Sequence, residues 1–525
     1  MVRPGPSGIR SRPETGVCMY KNVLEYLEKT AAGAAADRGV SDVDTFMTYP
    51  AFVEMARNAG AAMTGLVPAG RPVAVFAEKG VRTLAAMIGV VYSGGFYVSI
   101  NPEQPAERIA RILRVLDPAL VIVSEEMKET LLAAGFAGQI LDLDATVEHQ
   151  GTEEEFAALD RVREQSGRDD ILYGVFTSGS TGDPKGIIIS HGAVIDFIGH
   201  FTEIFEIGEK DIIGNQAPFD FDVSVKDIYS AFFTGAGLVL IPRTYFSTPP
   251  VLLDYICDRH VTVLIWAVSA LCLVSGLKGF GYRIPDQLRI VMFSGEVMPV
   301  RHLTMWQKAL PEAEFVNLYG PSEITCNSNY YRIDRIFEKT EKIPIGEAFP
   351  GREVFLLDES LQPVTETGKS GEICVAGESL GSGYYHNPEQ TAKHFIMYPA
   401  AGPDSRPIYR TGDVAYRGED GQLYFAGRAD FQIKHMGHRI ELEEIETHLG
   451  NVEGVSRAVC IYDQNKSRIY AFYTGDTDSK TIRTVLKSRI PVYMVPNKFV
   501  KLDTMPLNKN GKIDRAALRK EQGIS

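Results

Sequence analysis

The sequence predicts an α/β fold built on a doubly wound, mainly parallel sheet, followed by a small α+β module, and three observations carry this. Short β-branched runs, PVAVFAE near Val73, ALVIVS near Val121 and LRIVMFS near Val291, alternate with helical patterns such as PAERIARILRVL near Ile109. Such alternation is the signature of βαβ units. From Asp404 the texture changes to short strands punctuated by Gly and Asp, PIYRTGD and then YRGEDGQLYFAGRAD, which marks the end of the parallel sheet. After Asp430 come an amphipathic helix, IELEEIETHL, strand-like VSRAVCIYD and RIYAFYTG, a second helix near TIRTVLKSRI and a Lys-rich loop, PLNKNGKID.

With 525 residues the chain is too long for one ordinary core. A hydrophobic share of 45% and a charged share of 23% are those of a globular protein. A net charge of -13 argues against nucleic-acid or anionic-membrane partners, which reward a basic face. The six cysteines are scattered without a CxxC pair, so neither a disulfide framework nor a zinc site is expected and a cytoplasmic setting fits. Residues 1–17 lack the apolar core of a secretory signal and are expected to form a disordered tail. The longest apolar stretch, VTVLIWAVSALCLVSG from Val261, is shorter than the ~20 residues of a bilayer span and reads as buried strand plus helix.

Strand-like ILYGVF runs into TSGSTGDPKG, residues 177–186. Small residues let a backbone approach phosphate closely, while Thr177, Ser178, Ser180, Thr181 and Lys185 supply hydroxyls and a cation. It is not a Walker loop, because Lys185 precedes Gly186 and no Ser or Thr follows it. A plain flexible loop is the competing reading of this segment alone. Four further segments follow in order: NLYGPSE from Asn317, YRTGD from Tyr409, GRADFQIKHMGHRIELEEIE from Gly427 and NGKIDR from Asn510. On these five segments the chain resembles the adenylate-forming superfamily, in particular the adenylation domains of nonribosomal peptide synthetases. Among these it looks most like the stand-alone D-alanine:carrier-protein ligases.

The resemblance implies a large N-terminal domain of doubly wound sheets with a small β-barrel-like part, residues 18–429, and a small mobile domain, residues 430–525, hinged at Asp430. It also implies ATP and Mg²⁺ as cofactors. Lys512 would bridge the substrate carboxylate and the α-phosphate, and Glu323 would hold Mg²⁺. Thr177, Ser178, Gly179, Ser180, Thr181, Gly182 and Lys185 would surround the phosphates. Gly295, Glu296, Asn317, Tyr319, Gly320 and Ser322 would complete the nucleotide site, with Tyr319 stacking on adenine. Ser322 stands where the family more often has Thr. Asp413 and Arg428 would hold the ribose, although either could be an ordinary turn residue.

Asp222 of FDVSVKDIY matches the aspartate that binds an amino acid's α-ammonium group, and it also stands where a helix cap would. Lys226, four residues on, departs from the apolar or aromatic residue usual in such pockets. It is expected to point outward or to pair with Asp222, since long cations are seldom buried unpaired. The remaining expected lining is Val223, Ile265, Met292, Ser294, Leu318, Cys326 and Asn327, which suggests a small side chain such as that of alanine or serine. Gly437 would lie in the loop that turns toward the site for the second half-reaction. The expected acceptor is the phosphopantetheine thiol of a carrier protein acting in trans, with a coenzyme A ligase as the alternative.

Overall fold

A computed structural model describes residues 20–33, 38–179, 184–399, 402–507 and 513–524. The expected tail 1–17, Ser180, Thr181, Gly182 and Lys512 lie outside the described residues. Two large sheets dominate the N-terminal part. One has seven strands in the spatial order 383–384, 185–190, 171–177, 96–99, 72–76, 120–123 and 140–142. Its five strands from 171–177 onward are parallel, and 185–190 and 383–384 add to the edge antiparallel. The other has nine, in the order 347–348, 329–333, 314–319, 290–294, 263–267, 212–215, 237–240, 39–41 and 46–48. Its centre is parallel and its two ends antiparallel.

Side chains alternate across a strand, and that period separates two cores. In the nine-stranded sheet Ile265 and Met292 face inward to a cluster shared with Val73, Val75 and Ile122 of the other sheet, with helices Tyr49–Ala61, Val81–Tyr92, His191–Ile204 and Val223–Thr234 between. Leu264, Trp266, Val291 and Phe293 face outward to a second cluster. Helix 223–234 is therefore buried on nearly every side, as a helix between two sheets must be.

A five-stranded antiparallel sheet follows: 352–357, 370–377, 406–417 and 395–398, with 423–428 also paired to 406–417. The change of texture at Asp404 thus falls inside this sheet, not at its start. Strand 406–417 is also long where short pieces were expected, because Gly412, at φ +72°, is absorbed as a bulge. The bulge lets one strand carry both Tyr409 into a core and Asp413 into the cleft. The hairpin Gln432–His435 and His438–Glu441 leads to a smaller C-terminal unit. There, strands 455–463, 468–475 and 498–501 pack on helices Leu442–Gly450 and Ser479–Arg489 on one face, and Leu518 of helix Arg515–Gln522 joins the cluster on the other. Ile440 and Glu441, expected to open the helix, belong to the hairpin. Segment 261–276 is a strand, Val263–Ala267, and a helix, Val268–Gly276, as expected. Among the described residues no helix is long and apolar enough to cross a membrane.

Candidate active site

The cleft opens where the parallel strands end, the usual position for a ligand in open α/β sheets. Thr177 and Ser178 leave strand 171–177, whose last residue pairs with Lys185 across the antiparallel hairpin. Ser294, Gly295 and Glu296 leave strand 290–294, and Tyr319, Gly320, Ser322 and Glu323 leave strand 314–319. Asp413 and Arg428 come from the five-stranded sheet. Thr177, Ser178, Asp222, Val223, Lys226, Ser294, Gly295, Gly320, Ser322, Cys326, Asn327, Asp413 and Arg428 all reach one cleft. Ile265, Met292 and Leu318 do not line it; they belong to the inward core beneath helix 223–234. Asn317 is turned away, its amide donating to the Pro344 carbonyl at 2.7 Å.

On one side, the Tyr319 hydroxyl donates to Asp413 Oδ2 at 2.6 Å and Arg428 Nη1 to Asp413 Oδ1 at 2.5 Å. Each carboxylate oxygen still has a lone pair to accept from another donor. Arg428 also grips Asp430 through two bonds, at 2.6 and 2.7 Å, so Asp430 is exposed yet anchored. On the other side lies Asp222. It precedes the helix but does not cap it, and its side chain bonds to Ser322 instead. Burial pushes its carboxyl up, while the Lys226 ammonium and the Ser322 hydroxyl act the other way.

Lys226 contradicts the outward expectation. It is buried at 1% exposure, and its Nζ donates to Asn327 Oδ1 at 2.8 Å and Ser294 Oγ at 3.3 Å, not to Asp222. The reason is the sandwich: a helix covered on both sides has no solvent face along which a lysine could extend. Burial lowers its affinity for the proton.

The C-terminal hairpin supplies a third wall. Lys434 lies opposite Arg439 and Gln432 opposite Glu441, so these four polar residues share one face while Ile433 and Ile440 face the C-terminal core. Arg439 Nη1 reaches both oxygens of Glu323, at 2.8 and 2.7 Å, and Tyr384 donates to Oε1 at 2.7 Å. Burial alone would raise the Glu323 carboxyl, but Arg439 outweighs it and takes it down to about 2. Ser178 Oγ donates to the Arg439 carbonyl and accepts from the Glu441 amide, both at 2.9 Å. Lys185 turns to Glu441, at 3.5 Å. Lys434 is half-buried, with its ammonium 5.8 Å from the Tyr319 ring centre. The hairpin turns through Met436 and Gly437, at φ +53° and +81°, and the Gly437 amide donates to Glu296 at 2.8 Å. Arg439, Lys434 and Gln432 were not singled out from sequence, although polar-apolar alternation in QIKHMGHRIE carried the signal. Asp220, also on the cleft and pushed up to about 7 mainly by burial, carried none.

Buried contacts beside the cleft join the two parts of the chain. Arg108 meets Glu444 at 2.5 Å, and Arg111 meets His448 Nε2 at 2.9 Å while donating to the Arg489 carbonyl. Removing one partner of such a buried pair costs about 3–5 kcal/mol. His448 is lowered to about 4 by burial and then by Arg111, Arg489 and Arg108. His438, face to face with Tyr493 at 3.4 Å, is lowered to about 3 mainly by burial. Both rings are thus neutral in the docked arrangement and bind protons more readily when released. Docking is fully favourable above the ordinary histidine value and is lost as pH falls toward about 4. Fluorescence transfer between labels on the two parts should show several-fold weaker docking at pH 5.5 than at pH 7.5. In His448→Gln that response should shrink, and an unchanged response would exclude His448 as its source.

This arrangement has clear relatives. Residues 27–385 match the AMP-binding enzyme family and residues 444–512 the AMP-binding enzyme C-terminal domain. The chain belongs to the AMP-binding enzyme family, as an adenylation domain of the type found in nonribosomal peptide synthetases. It is 34% identical to bacitracin synthase 1 of Bacillus licheniformis, over 86% of this chain but 8% of that protein. The chain therefore spans a small fraction of the large synthases it matches. It is also 32% identical to the D-alanine--D-alanyl carrier protein ligase of Listeria monocytogenes serotype 4b, over 86% of this chain and 89% of that one. Among solved structures, IdnL1 is 27% identical with a TM-score of 0.79, covering 93% of this chain and 99% of IdnL1.

Proposed function

We propose that this chain activates an amino acid as its aminoacyl-adenylate and transfers it to the phosphopantetheine thiol of a separate carrier protein. The observation that carries the reading is Asp222: a carboxylate on the cleft wall, held by Ser322, placed where an α-ammonium group can pair with it. A fatty or aryl acid has no use for that charge. In the first step a carboxylate oxygen attacks the α-phosphorus of ATP and pyrophosphate leaves. Two anions must meet, so placement and positive charge dominate the barrier. Thr177 would face the phosphates, joined by Ser178 once the hairpin that holds its hydroxyl withdraws, and Tyr319, Asp413 and Arg428 would hold adenine and ribose. In the second step the thiol sulfur attacks the acyl carbon and AMP leaves.

Mg²⁺ suits Glu323, a buried, ionised carboxylate, because this ion takes one or two carboxylates and completes its shell with phosphate oxygens and water. When bound it would neutralise phosphate charge. Arg439 occupies both Glu323 oxygens here, which fits the pose of the second step, with the hairpin inserted. Asp430, bonded to Arg428 at the junction of residues 18–429 and 430–525, is the point about which the C-terminal part would turn.

ATP–pyrophosphate exchange over a panel of amino acids, followed by mass measurement of a phosphopantetheinylated carrier, tests the proposal. Exchange with at least one amino acid and a matching carrier mass shift are expected; exchange with none would sink it. Preference for free coenzyme A over the carrier would favour the coenzyme A ligase reading. Lys512→Ala should slow exchange by about 10²-fold, the scale of a lost transition-state donor. Transfer from supplied aminoacyl-adenylate should persist in this variant, and equal loss in both steps would remove Lys512 from its assigned role.

A further inference from the structure

We infer that Lys226, held by Asn327 and Ser294 on the cleft wall, reads the substrate's side chain and selects amino acids that bear a second carboxylate, of the aspartate or glutamate type. This rests on the amino-acid-activating reading and replaces the small neutral substrate that pocket composition alone suggested.

Of the residues of helix 223–234 only Lys226 and Asp227 carry charge, and both are buried. A cation in such a place is costly unless an anion answers it. The direct partners of Lys226 are neutral, an amide oxygen at 2.8 Å and a hydroxyl at 3.3 Å. An ammonium has three N–H donors, so one remains beyond these two.

The neighbouring carboxylates do not supply the missing charge. Asp227 accepts from Asn215 Nδ2 at 2.7 Å, and burial pushes its carboxyl up toward the neutral form. Asp222 is the other carboxylate that acts on Lys226, and the incoming α-ammonium group claims it. With a neutral amino acid bound, two cations would then share one carboxylate in a desolvated cleft. A side-chain carboxylate restores the balance and takes the third donor in a charge-assisted bond.

Position agrees with charge. Lys226 lies one helical turn beyond Asp222, and Lys226, Asn327 and Ser294 all face the cleft that Asp222 faces. A substrate anchored through its ammonium group at Asp222 and through its carboxylate near Thr177 and Ser178 has its side chain left to meet this trio. Asn327 and Ser294 act as positioning residues, fixing the ammonium without neutralising it.

The test uses the full chain in ATP–pyrophosphate exchange with matched pairs, aspartate against asparagine and glutamate against glutamine. Each pair is nearly isosteric, so the comparison isolates charge and needs no mutant. The expected result is that an acidic member leads the whole panel and exceeds its amide by about 10²-fold in kcat/KM, the scale of exchanging a charge-assisted hydrogen bond for a neutral one. Lys226→Met should erase that ratio while the KM for ATP and the thermal unfolding midpoint stay as in wild type. Glycine, alanine or serine leading the wild-type panel would overturn the inference and leave amino-acid activation standing; in that case Lys226 merely fills the cleft. Exchange with fatty or aryl acids and with no amino acid would overturn the underlying reading as well.

Discussion

Gly437→Val should leave ATP–pyrophosphate exchange near the wild-type rate and reduce carrier loading on the order of 10³-fold, through backbone strain and misplacement of the hairpin. Gly437 sits at φ +81°, a region that a β-branched residue adopts only with strain. A Cβ there would stand in ordinary contact, 3.4 Å from Ser269 Oγ and 3.5 Å from Ala267 Cβ, so the cost of valine lies in the backbone conformation. The Gly437 amide would also lose its place 2.8 Å from Glu296. Every one of these contacts belongs to the inserted hairpin, which is why the first step should be spared. Rapid-quench measurement of the two half-reactions separates them, and a matching loss in exchange would mean that the turn supports the whole fold and not one pose.

Asp222→Asn should reduce kcat/KM for the preferred amino acid by about 10³-fold, the effect of leaving a buried cation without its partner, and should leave the KM for ATP unchanged. The replacement keeps the shape and a hydrogen bond to Ser322 but removes the charge that faces the ammonium group. The substrate's ammonium group would then stand in the cleft without its partner. Because Asp222 does not cap its helix, the unfolding midpoint should move little. A large fall in the midpoint together with an unchanged substrate preference would assign Asp222 to stability and not to binding.

Much of the site was legible because its parts are short and local. Thr177 and Ser178 follow a β-branched run, and a strand that ends in small hydroxyl residues places them at the sheet's edge whatever lies beyond. Asp222 could be placed for the same reason, just before an apolar helical pattern. What escaped depended on how elements meet. Whether Lys226 points in or out is decided by a second sheet covering its helix, and the sequence of the helix alone is equally consistent with either. Ile265, Met292 and Leu318 were expected on the cleft and lie in the core, because they share the inward face of their strands with the wall residues but sit beneath the helix. Arg439 was missed because its partner, Glu323, is 116 residues away in sequence.

The two hydrogen bonds from Arg439 to Glu323 have a consequence for timing. With Mg²⁺ held at Glu323 as proposed, one carboxylate is the landing place for two different cations, a metal that arrives with the nucleotide and a guanidinium that arrives with the hairpin. They would compete for it, since Arg439 Nη1 lies within hydrogen-bond distance of both oxygens. A seated hairpin would therefore disfavour a metal at Glu323, and a metal held there would disfavour the seated hairpin. A single negative charge would in this way act as a turnstile, favouring one occupant at a time.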